Sequence, residues 1–263
     1  MDTKSTILSQ NDLALLEEAI LRFGRIVSFD NLASIFSTSY GEGESKQRIS
    51  LLSKRGWLVR IKRGLYIVIT DIATLGFSDI SELIISQTLN KDSYISFENA
   101  LQYYSMFDQM LSSVEAVTDK RARNYQVQDK SYRFSHIKKT LYFGFTTVTI
   151  EGREVKMAEK EKALLDMLYF RGSSYTVDLV LEKLSDYKED IDFEKLKNYA
   201  KKFGLSMIRE IGFLLDLIKV DTKDLYLSGK IKEGYSKMSV SSSEFNARWR
   251  LYYDRQINIS YAD

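Results

Sequence analysis

Lys46, Arg48, Lys54, Arg55, Arg60, Lys62 and Arg63 follow one another along the chain with no acid between them. A block of one sign suits a polyanion. Lysine and arginine neutralise phosphates, and arginine, lysine and glutamine can read base edges. Ser45, Gln47 and Ser50 lie beside or within the block and add hydroxyl and amide donors. A second basic stretch, residues 119–139, holds Lys120, Arg121, Arg123, Lys130, Arg133, Lys138 and Lys139 against Asp119 and Asp129. It suits an acidic partner or an extension of the first surface, and equally a loop and hairpin kept solvated by charge.

Little else in the chain is equipped for chemistry. Cysteine and proline are absent, and His136 is the single histidine. Disulfides, thiol catalysis, Cys-based metal sites and most Ser–His arrangements therefore lack raw material. No metal site and no cofactor is expected. Gly172-Ser173 followed by Asp190-Ile191-Asp192 has the residue types of a nucleotidyltransferase Gly-Ser and Asp-x-Asp pair, in which carboxylates hold Mg²⁺. The intervening residues read as a whole helix, however, and the aspartates read as a cap before Phe193. Glu161, Lys162 and Asp166 read as a helix start packing on a sheet, with Lys162 and Asp166 forming a surface i,i+4 ion pair worth a few tenths of a kcal/mol. His136 reads as structural. The expectation is a protein that is not an enzyme.

The elements that must carry the first basic block are readable from periodicity. Leu13, Leu16, Ile20 and Phe23 recur at helical spacing, with Ser9 or Asn11 as cap and Gly24 as stop. A second short helix fits residues 29–36, with Ser28 as cap and Leu32, Ile35 and Phe36 facing inward. Residues 37–43 read as a turn-rich break. A third helix fits residues 45–55, with Ile49 and Leu52 on one side and Lys46, Gln47, Ser50 and Lys54 on the other. Residues 57–61 and 65–69 read as two strands around a turn at Lys62-Arg63-Gly64. This order predicts a winged helix-turn-helix over residues 1–72. The third helix would be its recognition helix, with Lys62 and Arg63 at the wing tip. Its DNA-contact set is Ser45, Lys46, Gln47, Arg48, Ser50, Lys54, Arg55, Lys62 and Arg63.

The 263 residues, 44% hydrophobic and 28% charged, leave room for a second domain. Residues 70–79 read as a linker. Residues 77–263 are expected to form a mixed α/β domain, making the whole chain α+β. Helices are expected at 80–89, 97–106, 159–170, 177–184, 193–203 and 207–220, the second capped by Ser96. Strands are expected at 114–118, 132–134, 140–145, 147–150 and 155–157, with a hairpin turn at Glu151-Gly152-Arg153. Residues 245–259 alternate aromatic and basic side chains and read as a strand, with Trp249 as a core anchor. Met1-Asp2-Thr3-Lys4 has no basic lead before an apolar run, and no apolar run approaches the roughly 18 residues of a membrane span. A cytoplasmic protein is expected.

Three stretches, in order, resemble the AbiEi family, the antitoxin half of a type IV abortive-infection toxin–antitoxin system. They are Arg60-Ile61-Lys62-Arg63-Gly64-Leu65-Tyr66, Tyr94-Ile95-Ser96-Phe97-Glu98-Asn99-Ala100-Leu101-Gln102-Tyr103-Tyr104, and Ala158-Glu159-Lys160-Glu161-Lys162-Ala163-Leu164-Leu165-Asp166. They are similar to the family's wing, its Ser-Phe-x-x-Ala-Leu helix start and its Glu-Lys-Ala-Leu-x-Asp helix. Lys160 stands where the family commonly has proline. The resemblance implies a DNA-binding autorepressor, paired on inverted repeats in its own promoter, whose second domain opposes a nucleotidyltransferase-like toxin. The competing reading is a winged-helix regulator whose second domain senses a ligand or another protein.

Overall fold

The computed structural model describes residues 8–70, 80–229 and 233–259. The expected linker falls outside these residues except for Thr70, and so does the beginning of the chain at Met1 to Lys4. The architecture is α+β, as expected. It divides into two compact units, residues 1–91 with 125–132 and 150–153, and residues 92–124 with 133–149 and 154–263. The first unit reaches well past residue 72 and takes in a helix assigned by sequence to the second domain.

In the first unit, α1 (Gln10–Phe23) starts at Ser9, whose Oγ accepts from the Asp12 amide, and stops at Gly24, whose φ of 76° favours glycine. Strand β1 (Ile26–Ser28) leads into α2 (Phe29–Lys54), capped by the Ser28 side chain. The trace of α2 is helical on both sides of one residue, Gly41, whose φ of 71° and ψ of 168° break it. The break is thus narrower than residues 37–43. The hydroxyls of Ser34, Ser37 and Thr38 donate to carbonyls three residues back, so they stay in the helix rather than turn the chain. Strands β2 (Leu58–Lys62) and β3 (Leu65–Val68) form a hairpin, and the sheet order is β1-β3-β2, all antiparallel. Leu15, Leu16, Ala19, Leu32, Ile35, Phe36, Ile49, Leu52, Trp57 and Leu58 close one core.

The expected apolar face of α1 is rotated. Leu13 and Phe23 are exposed, while Asp12, Leu15, Leu16 and Ala19 are buried. The unit also contains α3 (Glu82–Leu89), capped by Ser81.

The second unit is built on a mixed sheet in the order β6-β7-β5-β4-β9-β8. Its strands are β4 (Ser93–Ile95), β5 (Ser113–Thr118), β6 (Tyr125–Val127), β7 (Lys130–His136), β8 (Phe145–Ile150) and β9 (Arg153–Ala158). All of β6, the first three residues of β7 and the β8–β9 tip from Ile150 to Arg153 belong to the first unit. Helix α4 (Phe97–Tyr103) is shorter than expected. Around α5 (Lys160–Phe170) pack helices α6 (Ser174–Asp186), α7 (Phe193–Phe203) and α8 (Leu205–Leu217). Asp192 caps α7 as expected, its Oδ1 accepting from the Lys195 amide at 2.9 Å.

Two expected strands differ. Residues 140–144 are not β: a short 3₁₀ turn occupies Lys139–Leu141, and Gly144 with φ of 73° turns the chain into β8. The aromatic run stays inside the fold by ring packing, Tyr94 against both Tyr142 and Phe145 at 5.4 and 4.8 Å. After α9 (Lys223–Gly229) and β10 (Ser236–Lys237), the closing segment is β11 (Glu244–Asn246), β12 (Leu251–Tyr253) and α10 (Arg255–Ile259), rather than one strand. Trp249 lies between the two strands and is fully buried, the core anchor its position suggested. Among the described residues, no helix is long and apolar enough to cross a membrane.

Candidate nucleic-acid interface

The arm of α2 after Gly41 carries the candidate contact face. Ile49 and Leu52 are completely buried, which fixes the rotation of the helix. Lys46, Gln47, Ser50 and Lys54 then fall on the opposite side and are exposed. Arg63, at the hairpin turn, is also exposed. Among the described residues, Lys46, Lys54 and Arg63 make no ion pair. Gly64 shapes the turn with φ of 74°, and its carbonyl accepts from the Phe29 amide at 2.8 Å, tying the hairpin to the start of α2.

Three residues of the expected contact set are turned to other work. Arg48 points inward. Its Nε donates to Asp12 Oδ1 at 2.7 Å and its Nη2 to Asp12 Oδ2. Tyr40 donates to the same carboxylate at 3.0 Å and lies under the guanidinium, 5.6 Å from ring centre to Cζ. Burial would raise the Asp12 pKa. The hydrogen bonds from Arg48, Ser9 and Tyr40, with the Arg48 charge, overcome that and hold it below the usual carboxylate value. Ser45 is buried and donates to the Glu42 carbonyl at 2.9 Å. Lys62 Nζ donates to the carbonyls of Thr88 and Leu89 at 2.8 and 3.1 Å, closing the C-terminus of α3. Burial, and then the charge of Lys91, lower its pKa. Arg55 is half-buried, beside the helix stop.

Arg60 is a further exposed cation on the hairpin. It alternates with buried Ile61 on β2 and pairs with no acid among the described residues. Period two in Val59-Arg60-Ile61 is the signal that could have placed it in the contact set.

The second basic stretch splits. Ile137 N donates to Thr118 O at 2.9 Å, bringing the segments after β5 and β7 side by side. Lys120, Arg121, Arg123, Lys138 and Lys139 are exposed on these segments, as is His136. Lys130 instead pairs with Glu82 at 2.8 Å, and Arg133 lies 3.7 Å from Glu115.

The pair expected at the surface of α5 is in the core. Lys162 and Asp166 are both fully buried and ion-paired. Tyr94 donates to Asp166 Oδ2 at 3.0 Å, Ser96 Oγ to the same oxygen at 2.8 Å, and Lys162 Nζ reaches Tyr94 Oη at 2.7 Å. Burial pushes the Lys162 pKa down and the Asp166 pKa up, each opposed by the other's charge. Ser96 therefore does not cap α4. Every residue from Glu161 to Leu168 is buried, so α5 has no solvent stripe on which a surface pair could lie. Among the described residues, no group of three or more His, Asp and Glu side chains is placed to hold a metal ion.

Neither a protein-family model nor a curated protein matches the chain. Solved structures do. The RV2827C protein from Mycobacterium tuberculosis aligns with a TM-score of 0.64 at 12% identity, over 94% of this chain and 92% of that one. An H. pylori protein described as a nucleotidyltransferase aligns over 62% of this chain and 85% of that one, with a TM-score of 0.31 and 13% identity. At such identities, likeness extends to fold alone, and only the first alignment is close enough to count. The chain shares the fold of the RV2827C protein along nearly its whole length.

Proposed function

We propose that the chain is a DNA-binding transcriptional autorepressor that also acts as an antitoxin. Its first unit is a winged helix-turn-helix, and its second unit opposes a nucleotidyltransferase-like toxin, directly or functionally. One observation carries the DNA half. Lys46, Gln47, Ser50 and Lys54 form a polar face opposite Ile49 and Leu52, with the cations of Arg60 and Arg63 on the adjoining hairpin unspent in ion pairs among the described residues. A helix presenting such a face, followed by a basic hairpin, matches a recognition helix and wing in major and minor grooves. The helix–strand–helix–helix–hairpin order and the β1-β3-β2 sheet support the same reading. Two copies are expected on an inverted repeat in its own promoter. The antitoxin half rests on the AbiEi resemblance of three ordered motifs. The cluster of Lys120, Arg121, Arg123, Lys138 and Lys139 is the surface assigned to a polyanionic partner.

Fluorescence anisotropy of the full chain on its own upstream DNA, across a salt series, tests the first half. A protein neutralising about six phosphates gives a log–log slope near −5. Replacing Lys46 and Lys54 by alanine should flatten that slope by about 2 and weaken binding. Absent or salt-insensitive binding overturns the autorepressor. A nucleotidyltransferase-like toxin gene beside this one, co-expressed with the chain, tests the second half; the absence of such a gene, or unrelieved growth arrest, overturns it.

A further inference from the structure

We infer that β8 is a self-association edge, through which two copies of this chain join their sheets in antiparallel register centred on Val148. Among the described residues, strand β8 is the last in its sheet, and one row of its backbone amides and carbonyls has no strand partner there. The opposite edge is protected by shortness, since β6 spans three residues, whereas β8 spans six. Thr146 and Thr147 point to opposite faces of a strand, and both are exposed, so neither face is covered at that point. Phe145, stacked on Tyr94 at 4.8 Å, holds the start of the strand to the sheet.

The sequence of this edge, Phe145-Thr146-Thr147-Val148-Thr149-Ile150, lacks the usual guards. It contains no lysine, no other charge and no proline. Every residue is aromatic or β-branched, the types that favour strand pairing.

A second copy fits this edge for a geometric reason. A two-fold axis perpendicular to the sheet sets residues of like orientation opposite one another. With the axis at Val148, Val148 meets Val148 of the other copy, Thr147 meets Thr149, and Thr146 meets Ile150. Thr–Thr and β-branched pairs are favourable neighbours across strands, and no charge is brought against its own copy. A single strand pair buries less than a standard interface, so the association is weak in free solution and strengthens when two copies are held close.

The absence of cysteine makes the register testable in the full chain. In Val148→Cys, the two thiols face each other within the roughly 4.4–6.8 Å between Cα atoms that a disulfide spans. In Thr147→Cys the like positions are diagonal, about 7–8 Å apart, and out of register for a bond. Mild oxidation should convert Val148→Cys to a covalent dimer and leave Thr147→Cys monomeric. Sedimentation equilibrium of the parent chain should show concentration-dependent dimers. Thr147→Lys with Thr149→Lys should abolish them with no change in thermal unfolding, because both positions are exposed. A parent chain that stays monomeric, equal cross-linking of both cysteine variants, or open-ended assembly in place of dimers overturns the inference. None of these readouts depends on DNA, so their failure leaves the operator-binding test standing.

Discussion

Arg48 Nε donates to Asp12 Oδ1 at 2.7 Å, a bond across 36 positions of sequence that joins α2 to α1. With the second guanidinium contact and Tyr40, it makes a forked, charge-assisted clamp on a buried carboxylate. An arginine of the basic block is thereby a strut between two helices.

Lys46→Ala and Arg48→Ala should consequently part company. Arg48→Ala leaves Asp12 buried with its main partner gone, which costs about 3–5 kcal/mol for a buried charge. The Arg48 side chain keeps 27% exposure, so the lower end is expected. Lys46→Ala should leave stability within about 0.5 kcal/mol, as exposed sites do, and weaken DNA binding instead. Urea unfolding beside anisotropy separates the two. Equal loss of affinity at unchanged stability for both would show that Arg48 leaves Asp12 to reach DNA.

The same clamp gives an acid dependence. The folded Asp12 pKa is depressed below 3.8, so the clamp contributes stability above that unfolded value and loses it as pH falls through the folded pKa. Asp12→Asn should be less stable than the parent near neutrality, and the gap should close on acidification. A gap independent of pH would remove the charge from the explanation.

Lys162 and Asp166 should behave as a unit. Lys162→Met or Asp166→Leu alone strands a buried charge, with an expected cost of about 3–5 kcal/mol. The double replacement should recover part of that, though it leaves the hydroxyls of Tyr94 and Ser96 without their acceptor. Additive losses in a double-mutant cycle would contradict the pairing.

Gly212 admits the Trp249 ring. A Cβ at that position would lie 2.2–2.4 Å from three ring atoms, and Trp249 is also held by its Nε1 donating to Asp216 at 2.6 Å. Gly212→Ala should destabilise the second unit by about 1–3 kcal/mol through overpacking, despite the better helix propensity of alanine. A rise in melting temperature would disprove the close approach.

Glu210 carries a pH dependence of opposite sign. Burial pushes its carboxyl up to about 7, opposed by a hydrogen bond from Ser206 at 3.0 Å. Its contribution to stability is complete below the unfolded value of 4.5 and is lost as pH rises through about 7. Glu210→Gln should therefore gain most on the parent above that pH, read as melting temperature across a pH series. No gain at alkaline pH would place the carboxyl in water.

Periodicity by itself determined the helices of the first unit, the hairpin, and α5 to α8, because a 3.6-residue or two-residue apolar rhythm is a local property of the chain. It also determined the inward faces of Ile49 and Leu52, and hence which side of that helix is free. Tertiary structure decided what each polar residue does once there. Arg48, Ser45 and Lys62 have the composition of contact residues, yet Asp12, the Glu42 carbonyl and the end of α3 claim them, and two of those three partners lie far off in sequence. The same holds for Lys162 and Asp166. Their i,i+4 spacing reads as a surface pair until Tyr94 and Ser96, about 70 positions earlier, close over them. Local pattern fixes which way a backbone turns, but the partner of a charge is set by whatever the rest of the chain brings beside it.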